Sequence, residues 1–432
     1  MLNNTFLNIK KFILSNRVLI SIYCICFLYL IFQDAIYSPD TASHFRLEIW
    51  RSPVYSLFVY IFNIIFKTNF NMVTVAFQLI LGFSAVHVFY KKISDLLQLP
   101  KIAKALFLIV LIVPYFNPLI VGNNICSEGF SYPLYLLTLC FGFSFIIENK
   151  NFWYLLITSI ILSLTRAQFL LLPIIFSFVY ILKFRKTFKK TKQNTLLFLL
   201  IFSLVFNVLV DKVYHKITKD QFASTSSFFI ANTAAIYVSK AEDIKDLKTE
   251  ETKAVFNLSR TYSEEKGWLM DHTKTKSASE LYNDFHSNLT KICSYAYHYK
   301  GSAYLKENKN YTLNKARVQV EKAAKNMMPV LVFNNYKNYF KLYYGNLIHG
   351  IKSKLLLLFV IVLLFISIVQ LFKAYTKDYA IVFLLSSLIL SNALIVSFGS
   401  YSIVRLLFYH YALILLLLFY VSRMVFTKYK TS

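Results

Sequence analysis

The sequence has little charge, 16% of its residues, and only 9 glycines and 5 cysteines in 432 residues. Cys24 and Cys26 lie in the first apolar run and Cys293 stands alone in a polar stretch, with Cys126 and Cys140 between them. That spacing predicts neither a disulfide framework nor a zinc site. Lys10, Lys11 and Arg17 precede an apolar run, but no small-residue cleavage site follows before Gln33-Asp34. An uncleaved first span is therefore expected instead of a removed signal peptide. The alternation over about ten residues that marks a membrane β-barrel is missing from the apolar runs. Also missing is an internal repeat of the kind found in many secondary transporters.

What fills the sequence is apolar: 57% hydrophobic and 18% aromatic residues, more apolar surface than one soluble core needs. Runs such as Val18 to Phe32, Val73 to Tyr90, Leu355 to Phe372 and Leu406 to Phe426 are of the order of the roughly 17 to 25 residues that cross about 30 Å of hydrocarbon as a helix. The formal charge of +26 lies mostly in short loops between these runs, where lysine and arginine set topology, so no nucleic-acid partner is expected.

The basic clusters Lys10/Lys11/Arg17, Lys91/Lys92/Lys101/Lys104, Lys150, Lys183 to Lys192, Lys373/Lys377 and Arg423/Lys428/Lys430 mark the cytoplasmic side, and an even number of crossings must separate successive clusters. The expected spans are the first run, then about 70–90, 104–121 and 126–147. Next comes a hairpin over 152–183 that turns at Thr165-Arg166-Ala167, and last 195–210, 354–372, 379–397 and 406–426. Val54 to Phe66, at about 13 residues, is short for a span and would break parity, so it is expected to be re-entrant or interfacial. As one helix, 152–183 would be about 45 Å long, with Arg166 buried in mid-bilayer; a hairpin brings Arg166 to the outer face.

The predicted fold class is thus an all-α polytopic membrane protein with about ten transmembrane helices and both termini cytoplasmic. An α-rich extracytoplasmic domain is expected between the seventh and eighth spans. Residues 1–210 form an N-terminal membrane region with its first outer loop at 33–69, residues 211–350 the soluble domain, and residues 351–432 a C-terminal membrane region. The 211–350 stretch holds 14 of the 21 acidic residues. Helical phrases such as Leu313 to Met328, ended by Pro329, suit its α-rich character.

Of the remaining acids, Asp95, Glu148 and Asp378 fall in cytoplasmic turns beside lysines and need only a solvated surface. Asp34, Asp40, Glu48 and Glu128 map to the outer face, as do Arg46, Arg51, Arg166 and Arg405. A small set of acids and arginines on one side of the membrane is the pattern of a site. Asp40 is presented by a proline-bounded loop, Ser38-Pro39-Asp40-Thr41, and Arg51-Ser52-Pro53 follows it. Its carboxylate is suited to accept a proton from a hydroxyl, to hold a divalent cation such as Mg or Mn near phosphate, or merely to cap the following helix. Glu128 opens a span, where a carboxylate also favours the helix dipole. Arg166 and Arg405 are suited to paired contact with phosphate oxygens, or to snorkelling. His44 and His410 are single histidines and read as structural more than catalytic, and Asp34 and Glu48 read as solvated loop charges.

These residues carry a resemblance to the GT-C superfamily of membrane glycosyltransferases, particularly the bacterial relatives of protein mannosyltransferases and of the aminoarabinose transferase that modifies lipid A. Ser38-Pro39-Asp40-Thr41 resembles that family's acidic first-loop motif, and Arg51-Ser52-Pro53-Val54-Tyr55 its Arg-x-Pro-x-Tyr phrase. Ser127-Glu128, Leu164-Thr165-Arg166 with Leu170-Leu171-Leu172-Pro173, and Val404-Arg405 resemble its later motifs in the same order. Ala167 stands where the family has proline, and His44 where it often has tyrosine. The soluble domain lies inside the chain, where the family frequently ends with one.

The resemblance implies a polyprenyl-phosphate sugar donor, a glycan, lipid or protein acceptor, and inverting transfer at the outer face of the cytoplasmic (inner) membrane. In it Asp40 would be base or a metal/acceptor ligand; from the residues themselves Glu128 is expected to bind a sugar hydroxyl or orient Asp40, Arg166 and Arg405 to hold the lipid phosphate, and Arg51 and His44 to complete the substrate-binding set. An O-antigen or capsule polymerase shares many spans, a large outer loop and essential arginines. A lipid-linked-sugar transporter or flippase ranks below both, because the spans lack midplane acids.

Overall fold

Long runs of leucine, isoleucine and phenylalanine satisfy their backbone hydrogen bonds in an apolar medium by coiling into helices. The computed structural model describes residues 14–186, 191–223, 228–399 and 402–431, and these are helical with no strand among them. Seven helical stretches among the described residues are long and apolar enough to cross a membrane: Pro53–Leu96, Glu128–Glu148, Ala167–Phe184, Gln193–Lys219, Lys354–Lys373, Lys377–Gly399 and Val404–Phe426. Arg17–Ile31 and Phe152–Thr165 are shorter apolar helices. Lys10, Lys11, part of the 183–192 cluster, and the side chains of Lys428 and Lys430 lie outside what is described.

The chain forms two compact units. The first comprises the described residues of Met1–Arg166, Lys189–Leu200 and Leu415–Ser432, and the second those of Ala167–Phe188 and Ile201–Ile414. The first unit contains α1 (Arg17–Ile31), α2 (Thr41–Phe45), α3 (Pro53–Phe66), α4 (Phe70–Leu96), α5 (Lys101–Ile112), α6 (Glu128–Glu148) and α7 (Phe152–Thr165).

α3 starts on Pro53, whose missing N–H is not needed in a first turn. It folds back on α4. Tyr55 Oη donates to Gln78 Oε1 at 3.1 Å, and Phe58 and Phe62 both pack on Phe77, at 5.2 and 5.4 Å between ring centres. In one continuous helix residues 55 and 78 would be about 35 Å apart. The reversal falls at Lys67, which takes a left-handed φ of 42°.

The span expected over 104–121 is shorter in the structure. α5 stops at Ile112, one 3-10 turn covers Val113–Tyr115, and Phe116 is extended. Pro114 has no N–H to continue the helix. α6 covers the run expected at 126–147. At its far end Glu148 does more than face solvent: Lys92 of α4 reaches both of its oxygens, at 2.7 and 2.6 Å, and Ser144 Oγ donates to it at 2.8 Å. α7 ends where the sequence predicts a break, at Arg166, whose backbone is extended.

The second unit contains α8 (Leu172–Phe184), α9 (Thr191–Lys219), α10 (Phe228–Tyr237), α11 (Glu250–Glu265), α12 (Ala278–Thr290), α13 (Lys300–Lys309), α14 (Leu313–Asn334), α15 (Tyr336–Ile351), α16 (Lys354–Lys373), α17 (Lys377–Gly399), α18 (Val404–Leu407) and α19 (Tyr411–Thr431). The division between units falls within α9 and α19. α9 runs nine residues past the expected end at 210, to Lys219. α10 to α15, with a π-helical segment over Lys291–Tyr299, enclose one core that includes Tyr237, Phe256, Phe285, Tyr297, Val320 and Leu331. Three of its helices begin on side-chain caps: Thr249, Thr312, and Ser277 with Glu280 in a reciprocal capping box. α14 does not end at Pro329 but continues through it to Asn334.

Gly345 of α15 packs directly on the backbone carbonyl of Ala278 in α12, leaving no space for a Cβ. Gly345→Ala is expected to destabilise the protein by about 1–3 kcal/mol through overpacking, read as a lower thermal midpoint in detergent. An unchanged midpoint would mean that the two helices do not approach this closely.

Candidate functional site

The site is assembled by backbone pairing between two loops of the first unit. Ile36 N–H donates to Asn123 O at 2.8 Å and Ile125 N–H to Ile36 O at 2.9 Å, a short bridge between the first loop and the turn before α6. Asn123 Nδ2 donates to Leu30 O at 2.8 Å, and Thr41 Oγ1 to Ile125 O at 2.8 Å. From inside α4, the fully buried Gln78 donates to Gly122 O at 2.9 Å and Asn124 O at 3.2 Å. These bonds carry Ser127 and Glu128 to the loop that bears Asp40.

Asp40 occupies the N-cap position of α2, but its side chain makes no capping bond. It goes instead to Arg51, whose Nη2 lies 2.5 Å from Oδ1. The guanidinium is aimed from behind: Nε donates to Ser43 Oγ at 2.7 Å, and that hydroxyl donates to Asp40 O at 2.6 Å. This pair is partly exposed, 34% for Asp40 and 22% for Arg51. The second pair is deeper. Arg166 Nη1 lies 2.7 Å from Glu128 Oε1, at side-chain exposures of 14% and 3%, and 3.4 Å from Ser127 Oγ. Glu128 is in the first turn of α6 and Arg166 at the end of α7, so the helix break at Arg166 turns a mid-run cation into the partner of a buried acid.

His44 lies within electrostatic reach of both pairs. Arg51, Asp40, Glu128 and Arg166 are all close enough to bear on its protonation. Burial, then Arg51, push its pKa from the ordinary 6.5 down to about 3, with Asp40 and Glu128 opposing. The ring is neutral at physiological pH. Its Nδ1 is bonded to Ser56 Oγ at 2.9 Å, and the ring of Tyr55 meets it edge-on at 4.9 Å.

Because the folded value lies below the ordinary 6.5, the unfolded chain takes up a proton that the folded chain refuses as pH falls. His44 therefore costs nothing above about pH 6.5 and removes stability progressively from there to about pH 3, by up to about 1.4 kcal/mol per pH unit. His44→Asn is expected to flatten the dependence of unfolding free energy on pH between about pH 4 and 6. Equal slopes in variant and wild type would contradict the buried neutral ring.

The structure thus brings Asp40, Arg51, Glu128, Arg166 and His44 together. Arg405 belongs to the second unit, on α18. Asp34 is exposed. His410, also in the second unit, is buried in a polar staple: Asn392 Nδ2 donates to its Nδ1 at 3.0 Å, and Gln168 Nε2 donates to Leu406 O at 2.9 Å and to Asn392 Oδ1. Ser43, Ser56, Gln78 and Asn123 position the site without having been singled out. The one sequence signal was Gln78, a polar residue inside the apolar run of α4.

Among the described residues, no three His, Cys, Asp or Glu side chains are grouped to hold a metal ion. A divalent cation at Asp40 would have to share the carboxylate with Arg51. Each guanidinium already faces a carboxylate, Arg51 that of Asp40 and Arg166 that of Glu128, and of the two acids only Asp40 is partly exposed. No protein-family model, curated protein or solved structure matches the chain at a significant level.

Proposed function

We propose that the protein is an inverting glycosyltransferase of the GT-C type, which moves a sugar from a polyprenyl-phosphate donor to a glycan, lipid or protein acceptor at the outer face of the cytoplasmic membrane. One observation carries the reading: two acids and two arginines, drawn from the first loop, α6 and the α7 end, gather around one neutral histidine in a largely apolar helical unit. In this reading the hydroxyl oxygen of the acceptor attacks the anomeric carbon, the bond from that carbon to the phosphate oxygen breaks, and the hydroxyl proton passes to Asp40. Arg51 orients Asp40. Arg166 stabilises the charge that develops on the departing polyprenyl phosphate. A Mg or Mn ion at Asp40 is the alternative use of that carboxylate.

The reading places about ten spans in the membrane and both termini in the cytoplasm. α3 is the re-entrant helix, which its reversal against α4 supports. The domain of 211–350 lies outside between the seventh and eighth spans, where its 14 of the 21 acidic residues suit it. Purified protein in nanodiscs, given the polyprenyl-linked-sugar fraction of its native membranes and an envelope extract as acceptor, should release free polyprenyl phosphate detectable by mass spectrometry. Lipid-linked sugar that stays intact would sink the proposal, and joining of whole oligosaccharide units would favour the polymerase.

A further inference from the structure

His44 has one open valence, and its neighbours decide which. The hydroxyl hydrogen of Ser56 is donated to Ser52 O at 3.0 Å. At 2.9 Å from His44 Nδ1, the same oxygen can therefore only accept, so Nδ1 carries the proton. A neutral ring protonated there has a bare lone pair at Nε2. That nitrogen is buried and has no hydrogen-bond partner among the described residues. The residue itself is 3% exposed, with Tyr55 edge-on against the ring. A buried acceptor without a donor is costly; other buried polar atoms among the described residues also lack a partner, and this one is set apart by belonging to the ring on which Asp40, Arg51, Glu128 and Arg166 all bear.

The choice of ligand follows from the sign of the missing partner. A phosphate brings acceptor oxygens, which a second acceptor repels, and the two arginines already suit it. A hydroxyl brings the donor that Nε2 lacks. We infer that His44 Nε2 accepts a hydrogen bond from a carbohydrate hydroxyl of the substrate, and that Ser56 is the positioning residue that fixes the tautomer. The inference rests on the glycosyltransferase reading for the identity of the hydroxyl's owner, donor sugar or acceptor. For the hydroxyl to arrive, the ring, 3% exposed, must first be uncovered, and it lies on the loop of residues 38–52. That loop holds Leu47 in left-handed backbone (φ 51°), a strain that ligand-binding loops commonly carry.

Two measurements test it. Nitrogen-15 NMR of histidine-labelled protein in nanodiscs, assigned against a His44→Gln sample, should show Nδ1 protonated and Nε2 bare, and Ser56→Ala should mix the tautomers. A protonated Nε2 overturns the inference. In the transfer assay above, His44→Gln, whose amide reaches the position of Nε2 with an acceptor oxygen, should retain about ten- to hundredfold more activity than His44→Asn, whose amide reaches only the position of Nδ1. A rise in KM for the lipid-linked sugar places the hydroxyl on the donor, and a rise for the envelope extract places it on the acceptor. Equal activity of the two variants, with wild-type transfer intact, overturns the inference alone. Absence of transfer by the wild type overturns the glycosyltransferase reading and the inference with it.

Discussion

Asp40→Asn is expected to lower sugar transfer by about 10²- to 10⁴-fold, the range that a positioned general base contributes, while the protein stays folded. The amide keeps the shape of the carboxyl and can still face Arg51, but it takes up no proton. Loss of the ion pair itself is a small matter for stability. Asp40 and Arg51 are 34% and 22% exposed, and partly exposed pairs of this kind are worth about 1 kcal/mol or less. Activity and thermal midpoint should therefore separate: the first collapses and the second moves little. Ser43→Ala provides the graded case. It removes the hydroxyl that aims Arg51 at Asp40, and should cost less activity than Asp40→Asn. Full transfer by Asp40→Asn would return Asp40 to the role of a loop charge.

The Glu128–Arg166 pair predicts the opposite separation. Glu128 is 3% exposed and Arg166 14%, so removing either partner leaves a charge stranded in a poorly solvated place. Glu128→Ala or Arg166→Ala is expected to destabilise the protein by about 3–5 kcal/mol. The double variant Glu128→Gln with Arg166→Gln should recover much of that loss, because neither charge is left unpaired. A double-mutant cycle on chemical unfolding in detergent measures the coupling, and additive effects would show that the two side chains do not meet. Restored stability without restored transfer would assign the arginine a task beyond holding the fold.

The contrast between the pairs explains how much of the site was legible in the sequence. The arginines stood out because each lies beside an apolar segment and outside the charged clusters, and parity of the basic loops is expected to put them on one side with the acids. Their pairing was not legible. Asp40 sits where a helix cap is expected, and only the three-dimensional path of the first loop takes its side chain to Arg51 instead. Glu128 could be read as a dipole-stabilising residue because the helix break at Arg166 gives no hint of which acid it will meet. Gln78 and Asn123, which stitch the loops together, carry no motif, and their partners are backbone carbonyls distant in sequence.

The helices show the same division. Long runs such as Leu355 to Phe372 were legible almost to their ends, because nothing competes with helix formation in a continuous apolar segment. Boundaries set by single residues were less so. Pro114 ended α5 earlier than its apolar run suggested, whereas Pro329 did not end α14. α9 continued past the apolar run through Asp211 and His215, which lie 3.4 Å apart one turn from each other.

Whether the first-loop carboxylate acts on a lipid-linked sugar is measured directly in the living cell. Mass spectrometry of envelope glycans should be compared between a strain lacking this protein and the same strain expressing either the wild type or Asp40→Asn at equal membrane levels. Deletion is expected to remove one sugar linkage, the wild type to restore it, and Asp40→Asn to leave the glycans as they are in the deletion. Glycans unchanged by deletion, or fully restored by Asp40→Asn, would contradict that role of the carboxylate.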